Sequence, residues 1–382
     1  MRARSVALPA VAAVTAALLG LGLVGVAVHQ PAPARPRRST GAVSPVPEGI
    51  DDVLPELVSF VERERGLSFL EAVDVELLDD RAFEERLGAP DDEARAEIED
   101  VQAVLQAMGL IGPGVDLVQT VDDFAADAVL GFYDPEADEL LVRGRAATPL
   151  VRTTLVHELV HALEDQHFDL DRPDLGDEAA SAFQALAEGS AVVVEERYIR
   201  SLSAADRRAA RGAERAQSRA VSDDVPEAVQ IAFGFPYAFG PDLVKAVVNA
   251  GGQVRLDDAF ARPPVSTEQV LEPARYLSGD SPRPVPAPRA DRPAFDDGEI
   301  GELFLILMLR AELPDRQARE SARGWGGDHY VAWRDGGRTC VRMAFVMDSA
   351  RDTAELEAAL ADWAAERPAT ASASGTSLRT CS

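Results

Sequence analysis

A helix-dominated α+β fold is what this sequence predicts, and three observations carry that reading. Long stretches repeat apolar residues at intervals of three and four, the spacing of one helix face. Two pairs of short apolar runs flank Asp-Pro or Asp-Gly-Gly turns, which is hairpin chemistry. No internal repeat divides the chain into modules.

The elements follow in order. Asp51 to Arg65 places Val53, Leu54, Leu57, Val58 and Val61 on one helical face. Val73 to Leu78 alternates like a strand, and Asp80 to Met108 reads as one long amphipathic helical stretch. The acidic segment from Asp51 to Met108 either covers a cleft or belongs to the fold. Ala128 to Tyr133 and Glu139 to Arg143 flank Asp134-Pro135 and predict a hairpin. Leu140 to Arg143 would have one buried face or would offer an edge to an extended peptide. Thr148 is placed to cap a helix that Pro149 opens and that runs to about His167, ahead of Pro173. A second helix is expected from Asp177 to Ser201. Segments 203–219, 225–233 and 237–250 read as helices, and the proline-rich stretch 263–293 as irregular. Gly298 to Leu313 is an apolar helix. His329–Arg334 and Thr339–Met347, joined by Asp335-Gly336-Gly337, predict a second hairpin, and Asp352 to Arg367 a closing helix.

Charge narrows the function classes. The chain has 382 residues, with 65 acidic against 38 basic ones, and 46% apolar content places it among globular proteins. Residues 1–47 contain no acid and five arginines (Arg2, Arg4, Arg35, Arg37, Arg38), so the remainder stands at 33 basic against 65 acidic, a net charge of −32. Such a surface repels nucleic acid phosphates and anionic lipid, and it disfavours both as partners.

Arg2 and Arg4 precede an uncharged run from Val6 to Val28. Its length matches the ~20 residues that span a bilayer, while its Ala, Gly and Pro9 content suits a cleaved signal peptide. Residues 1–29 are therefore expected to be a signal peptide or an N-terminal transmembrane anchor, and 30–49 a Pro-rich linker. Both readings export the chain, which would be secreted or anchored outside the cytoplasm, with membrane contact only through that segment. The two cysteines fit such a compartment: Cys340 and Cys381 are expected to pair and tie a C-terminal tail, 371–382, to a single domain spanning 50–370.

The chemistry concentrates in His157-Glu158-Leu159-Val160-His161, which holds two of the chain's five histidines. Residues at i and i+4 share a helix face, so both imidazoles can reach one metal ion, and Glu158 beside them can act as a base on water. The flanks Thr153 to Val156 and Ala162-Leu163 carry no charge, so the helix must be buried, where two histidines and a glutamate need a cation. A catalytic zinc takes three protein ligands, and Glu164, Asp165, His167, Glu178 and Glu188 are the candidates for the third. Glu188 stands apart as the one charge between Ala179 and Val194, which is expensive unless it is paired or metal-bound. Gly189 and Ala191 would let its helix approach the histidine helix closely. Asp165 suits an imidazole-orienting role, Glu164 and His167 helix-end solvation, and Glu178 the acidic first turn of its helix.

These residues resemble those of a zincin metallopeptidase, and Glu188-Gly189-Ser190-Ala191 is similar to the Glu-Gly-x-Ala segment of the gluzincin branch. The stretch HELVHALEDQHFDL at 157–170 resembles that of an uncharacterised family of exported bacterial metallopeptidases, as do FPYAFG at 235–240, PVSTEQVL at 264–271 and GWGGD at 324–328. One departure matters: many gluzincins place the third ligand 19 residues after the second histidine, here Ala180, whereas Glu188 lies 27 residues on. The resemblance implies a zincin-like core of active-site helix plus small sheet, with zinc (Zn2+) on His157, His161 and Glu188. It further implies Glu158 as general base in the hydrolysis of a peptide or protein substrate. An oxyanion donor is also implied, for which Tyr198, Tyr237, Tyr276, His329 and Tyr330 are available. Tyr237 leads them, set between Pro236 and Gly240-Pro241 in an apolar segment. The alternatives are an envelope protein that uses the metal as a structural staple and a zinc hydrolase of non-peptide cell-wall amides.

Overall fold

Hydrophobic spacing at Val53, Leu57, Phe60 and Val61 makes the first helix, α1 (Ile50–Arg65), a one-faced element, and Gly66 in the left-handed region ends it. The chain is described as a computed structural model over residues 49–382, apart from 89, 91, 135–138, 173–174 and 219–224. The segment expected to be a signal peptide or anchor (1–29), residues 30–48 of the expected linker and residues 135–138 of the expected turn lie outside the described residues.

After α1 come β1 (Asp74–Leu78), α2 (Asp80–Leu87), α3 (Asp92–Ala107), α4 (Leu117–Ala128), β2 (Gly131–Asp134) and β3 (Glu139–Arg143). The single helix expected over 80–108 is thus two, with Gly88 and Pro90 in the break. Next are α5 (Pro149–Phe168), α6 (Asp177–Ser201), α7 (Ala204–Ser218) and α8 (Glu227–Ala261). The two helices expected at 225–233 and 237–250 are one, because α8 runs through Pro236 and Pro241 and breaks only at Gly251-Gly252. Two short helices, α9 (Thr267–Leu271) and α10 (Pro273–Ser278), occupy the first half of the stretch expected to be irregular. Then follow β4 (Ala294–Gly298), α11 (Gly301–Arg310), α12 (Asp315–Ala322), β5 (Trp325–Asp335), β6 (Arg338–Met347), α13 (Ala350–Glu366), β7 (Ala371–Ser374) and β8 (Ser377–Cys381). The protein is helix-dominated α+β.

Two sheets result. A three-stranded sheet has the order β1-β3-β2, with β1 parallel and β2 antiparallel to β3. Leu140 to Arg143 therefore sit in the central strand, and both their edges are paired, so an extended peptide cannot add there. The second sheet is antiparallel in the order β4-β5-β6-β8-β7. Residues 371–381 are accordingly sheet and not a tail. Register puts Cys340 opposite Cys381, and the two are joined by a disulfide.

Two hydrophobic cores meet on α6. Its first half (Ala182, Phe183, Ala185, Leu186) enters a large core with α3, α8, α11, α13 and the five-stranded sheet. Its second half (Ala191, Val194, Tyr198) enters a smaller core with α1, β3 and α5. α1 belongs to the fold and does not cover a cleft. Its Arg65, 1% exposed, donates through Nε to Glu164, which is fully buried, and through its Nη groups to Gln253 (3.1 Å) and Asp257 (3.2 Å). Among the described residues α8 alone is long and apolar enough to cross a membrane, and half of its most apolar window is buried inside the fold.

Removing Arg65 strands Glu164 as a buried charge. Arg65→Met is expected to lower unfolding free energy in urea by about 3–5 kcal/mol, and Arg65→Met/Glu164→Leu to recover most of that. A single-variant loss below about 1 kcal/mol would show that the pair does not anchor α1.

Candidate metal centre

α5 starts as its sequence requires. Thr148 caps it by accepting from the Val151 N–H (3.3 Å), and Pro149 takes the first turn, where no amide partner is needed. Gly131 lets β2 lie directly on this helix, since a Cβ there would come within 2.9 Å of the Thr154 methyl. From α5, His157 and His161 project together, their ring centroids 4.9 Å apart. Glu188 meets them from the middle of α6. Its Oε2 lies 3.1 Å from His157 Nε2, and its Oε1 lies 3.5 Å from His161 Nε2. One ligand atom from each of the three residues falls within 4.8 Å of the others, and none of His157, Glu158, His161 and Glu188 is more than 5% exposed.

The donor set suits a divalent metal. Two imidazole nitrogens and a carboxylate converge, while His161 Nε2 and Glu188 Oε1 are buried without a hydrogen-bond partner. That is the ligand complement of a zinc site with three protein ligands. The identity of the tautomer is settled by a residue that sequence reading passed over. Glu195 Oε2 stands 3.2 Å from His157 Nδ1, so Nδ1 holds its proton there, and the proton that a metal would displace is the one on Nε2 facing Glu188. The signal for Glu195 was present: it lies seven residues, two turns, beyond Glu188 on the same face.

Other candidates take different places. Glu164 does not solvate a helix end. It is fully buried and holds Arg65 and the Ser190 hydroxyl. Asp165 accepts from the Tyr133 hydroxyl (3.3 Å) and the Leu170 N–H (2.8 Å), and the carboxylate facing His157 Nδ1 is Glu195. His167 Nε2 reaches the Ser68 carbonyl (2.9 Å). Glu178 is no simple first-turn acid. It is buried and accepts from the Thr267 N–H (2.8 Å) and hydroxyl (2.9 Å).

Electrostatics at the centre are dominated by burial and by the histidines. Burial pulls His157 down, but hydrogen bonds to Glu188 and Glu195 outweigh it and hold the imidazole well above its ordinary value. His161 is raised too, by the charge of Glu188 against the same burial. Glu188 is pushed up by burial and brought down further by the two histidines, to about 2. Glu158 is raised by burial to about 7 against the opposing charge of both histidines, and its Oε2 has no hydrogen-bond partner.

The three sequence motifs left without a role all brace α6. Gly240 of FPYAFG crosses Gly189: a Cβ on Gly189 would lie 2.2 Å from the Gly240 carbonyl carbon, and one on Gly240 would lie 2.0 Å from the Ala185 oxygen. Gly189 thus admits α8, not α5 as expected. That crossing sets the Tyr237 ring against His157, with centroids 6.4 Å apart and planes inclined by 28°. In PVSTEQVL, Ser266 caps α9 and Thr267 binds Glu178. In GWGGD, Asp328 accepts from the Ile300 and Gly301 N–H groups and the Trp325 indole, each at 2.9 Å. Gly301, at φ +72°, has no room for a Cβ beside the Glu178 carboxylate. The other oxyanion candidates are engaged elsewhere. Tyr276 donates to the Arg262 carbonyl, Tyr330 to Asp296, His329 faces Asp297 and Tyr198 packs on Phe60.

Residues 291–380 match a family described as a domain of unknown function (DUF8575). That range is the unit from β4 to β8, and it excludes every metal-binding candidate. No curated protein and no solved structure matches the chain.

Purified residues 48–382 are expected to bind about one zinc per chain, which His157→Ala and Glu188→Ala lose. Glu195→Gln should keep the site but weaken it by about 10–100-fold in a chelator competition, and equal affinity would remove Glu195 from the centre. A pH trend follows from the raised histidines. In the metal-free protein their stabilisation is complete below about pH 6.5, the unfolded value, and is lost as pH rises through the raised folded values. Metal replaces those protons, so the gain in Tm on adding zinc should grow between about pH 6 and 8. A gain that shrank with pH would contradict the assignment.

Proposed function

We propose that the chain is an exported, zinc-dependent metallopeptidase with a zincin-like core built on α5, α6 and the three-stranded sheet. The observation that carries this reading is Glu158. A structural metal site needs ligands but no base, whereas Glu158 is a buried carboxylate beside both histidines, raised to about 7 and without a hydrogen-bond partner on Oε2. A base near neutrality is matched to proton transfer at working pH.

When bound at His157, His161 and Glu188, zinc supplies Lewis-acid polarisation of water and of a substrate carbonyl. Glu158 takes the proton of the attacking water and passes it to the departing amine. Tyr237, stacked on His157, donates to the oxygen that gains charge. Glu195 keeps His157 in one tautomer throughout. The buried Cys340–Cys381 disulfide supports an oxidising, extracytoplasmic location.

One observation favours the structural-staple reading: the ligands are nearly inaccessible, as in closed structural sites. Glu158→Gln separates the two. With casein and with peptidoglycan fragments as substrates, it is expected to cut turnover by about 10²–10⁴-fold while zinc content stays unchanged. Tyr237→Phe should lower turnover by about 10-fold or more with little change in KM. A Glu158→Gln protein as active as wild type would falsify the mechanism, and activity only on peptidoglycan fragments would move the substrate from peptides to cell-wall amides.

A further inference from the structure

A peptide bond must reach the centre, yet its four residues are at most 5% exposed, so an element covering it has to move. Two helices besides α5 and α6 approach the site, α8 through Tyr237 against His157 and α7 through Glu214 near Glu195, which touches His157. α8 is fixed there: its backbone touches α6 at Gly189 and Gly240, and Phe233, Phe235, Leu243, Val244 and Val247 bury it in the large core. α7 is held differently. Its sequence, AADRRAARGAERAQS, has no apolar residue larger than alanine, and among its described side chains Ala210 alone is fully buried.

Charge holds α7 instead. It turns back from the end of α6 and packs on α5, with Arg152 reaching Asp206 at 4.0 Å. Arg211 bridges Glu196 of α6 and Glu214 of α7 itself (3.0 Å). This brings Glu214 close enough to Glu195 and Glu196 for their charges to repel, with Glu195 in contact with His157. Three carboxylates therefore crowd the side of the centre under α7, and Arg211 is the cation between them. Near the turn, Arg207 donates to the Arg200 carbonyl (2.7 Å). Partly exposed ion pairs are worth about 1 kcal/mol or less each, and an element with few buried apolar contacts opens readily.

We propose that α7 is a lid over the metal centre, latched by Arg211 and lifted to admit substrate. Only the nature of what enters rests on the peptidase reading; the gating of metal access does not. The zinc-loaded chain, Arg211→Ala and a distant control, Arg316→Ala, are compared by hydrogen exchange of 204–218 and by the rate at which dipicolinate strips the zinc. Arg211→Ala should speed exchange in α7 and zinc removal by about fivefold, the equivalent of about 1 kcal/mol of latch, with zinc stoichiometry unchanged. The control should match wild type. Faster exchange with unchanged zinc removal overturns the lid, unchanged exchange overturns Arg211 as its latch, and a wild type that binds no zinc overturns lid and centre together. Casein hydrolysis in the same proteins separates the two ideas: faster zinc removal without hydrolysis in any variant keeps the lid and discards the peptidase.

Discussion

Glu188 puts a full charge in the middle of a helix that is buried around it, and much of the architecture answers that one constraint. An isolated carboxylate there would neutralise itself or unfold the helix. Instead it is held ionised, down at about 2, by two imidazoles delivered from α5. Delivering them requires α6 to hold its place along its axis. Glu178 is clamped at its start by Thr267 and Gly301, Gly189 is crossed by Gly240 at its middle, and Ser190 joins the Arg65–Glu164 pair one turn from the ligands.

Those anchors link the two cores. The N-terminal half of α6 is set by the unit that matches the family of unknown function, because Asp328 fixes the amides that open α11 and thereby Gly301 against Glu178. The other half is set by α1 through Arg65. A unit with no metal-binding candidate of its own thus holds Glu188 in position. Metal binding at the proposed site would be coupled to folding: the metal-free centre keeps two raised histidines between Glu188 and Glu195, and a cation would have to displace their protons.

What could be read from sequence was whatever chemistry stood out against its surroundings. His157, Glu158, His161 and Glu188 did, because each interrupts an apolar helix. Glu195 did not, since it begins the polar end of α6 (Glu195-Glu196-Arg197) and looks solvated. Arg65 carried no signal at all: a base in a helix's last turn is ordinary, and its partner lies 99 residues away. Secondary structure failed where tertiary packing overrode local preference. Pro236 sits inside a continuous α8 because α6 supports it, and the small, polar strands β7 and β8 form because β6 and the disulfide give them a partner. The break after α2 was visible in Gly88 and Pro90 and was outvoted by the apolar spacing on either side.

On the proposed reading, closure and catalysis at this centre are two consequences of the same burial. Excluding water is what lifts Glu158 to about 7 and leaves one of its oxygens without a partner, so a permanently open cleft would return the base to ordinary acidity and weaken every charge interaction beside it. A permanently shut one would keep the base and admit nothing. The covering elements divide along that line. α8, which carries Tyr237, is fixed by backbone contact and aromatic packing, as a group that must stay aligned with His157 requires. α7, whose described side chains bury Ala210 alone, rests on ion pairs that exchange readily with water. On that reading a rigid wall with a loosely held cover would let one buried site be dry during proton transfer and open between turnovers.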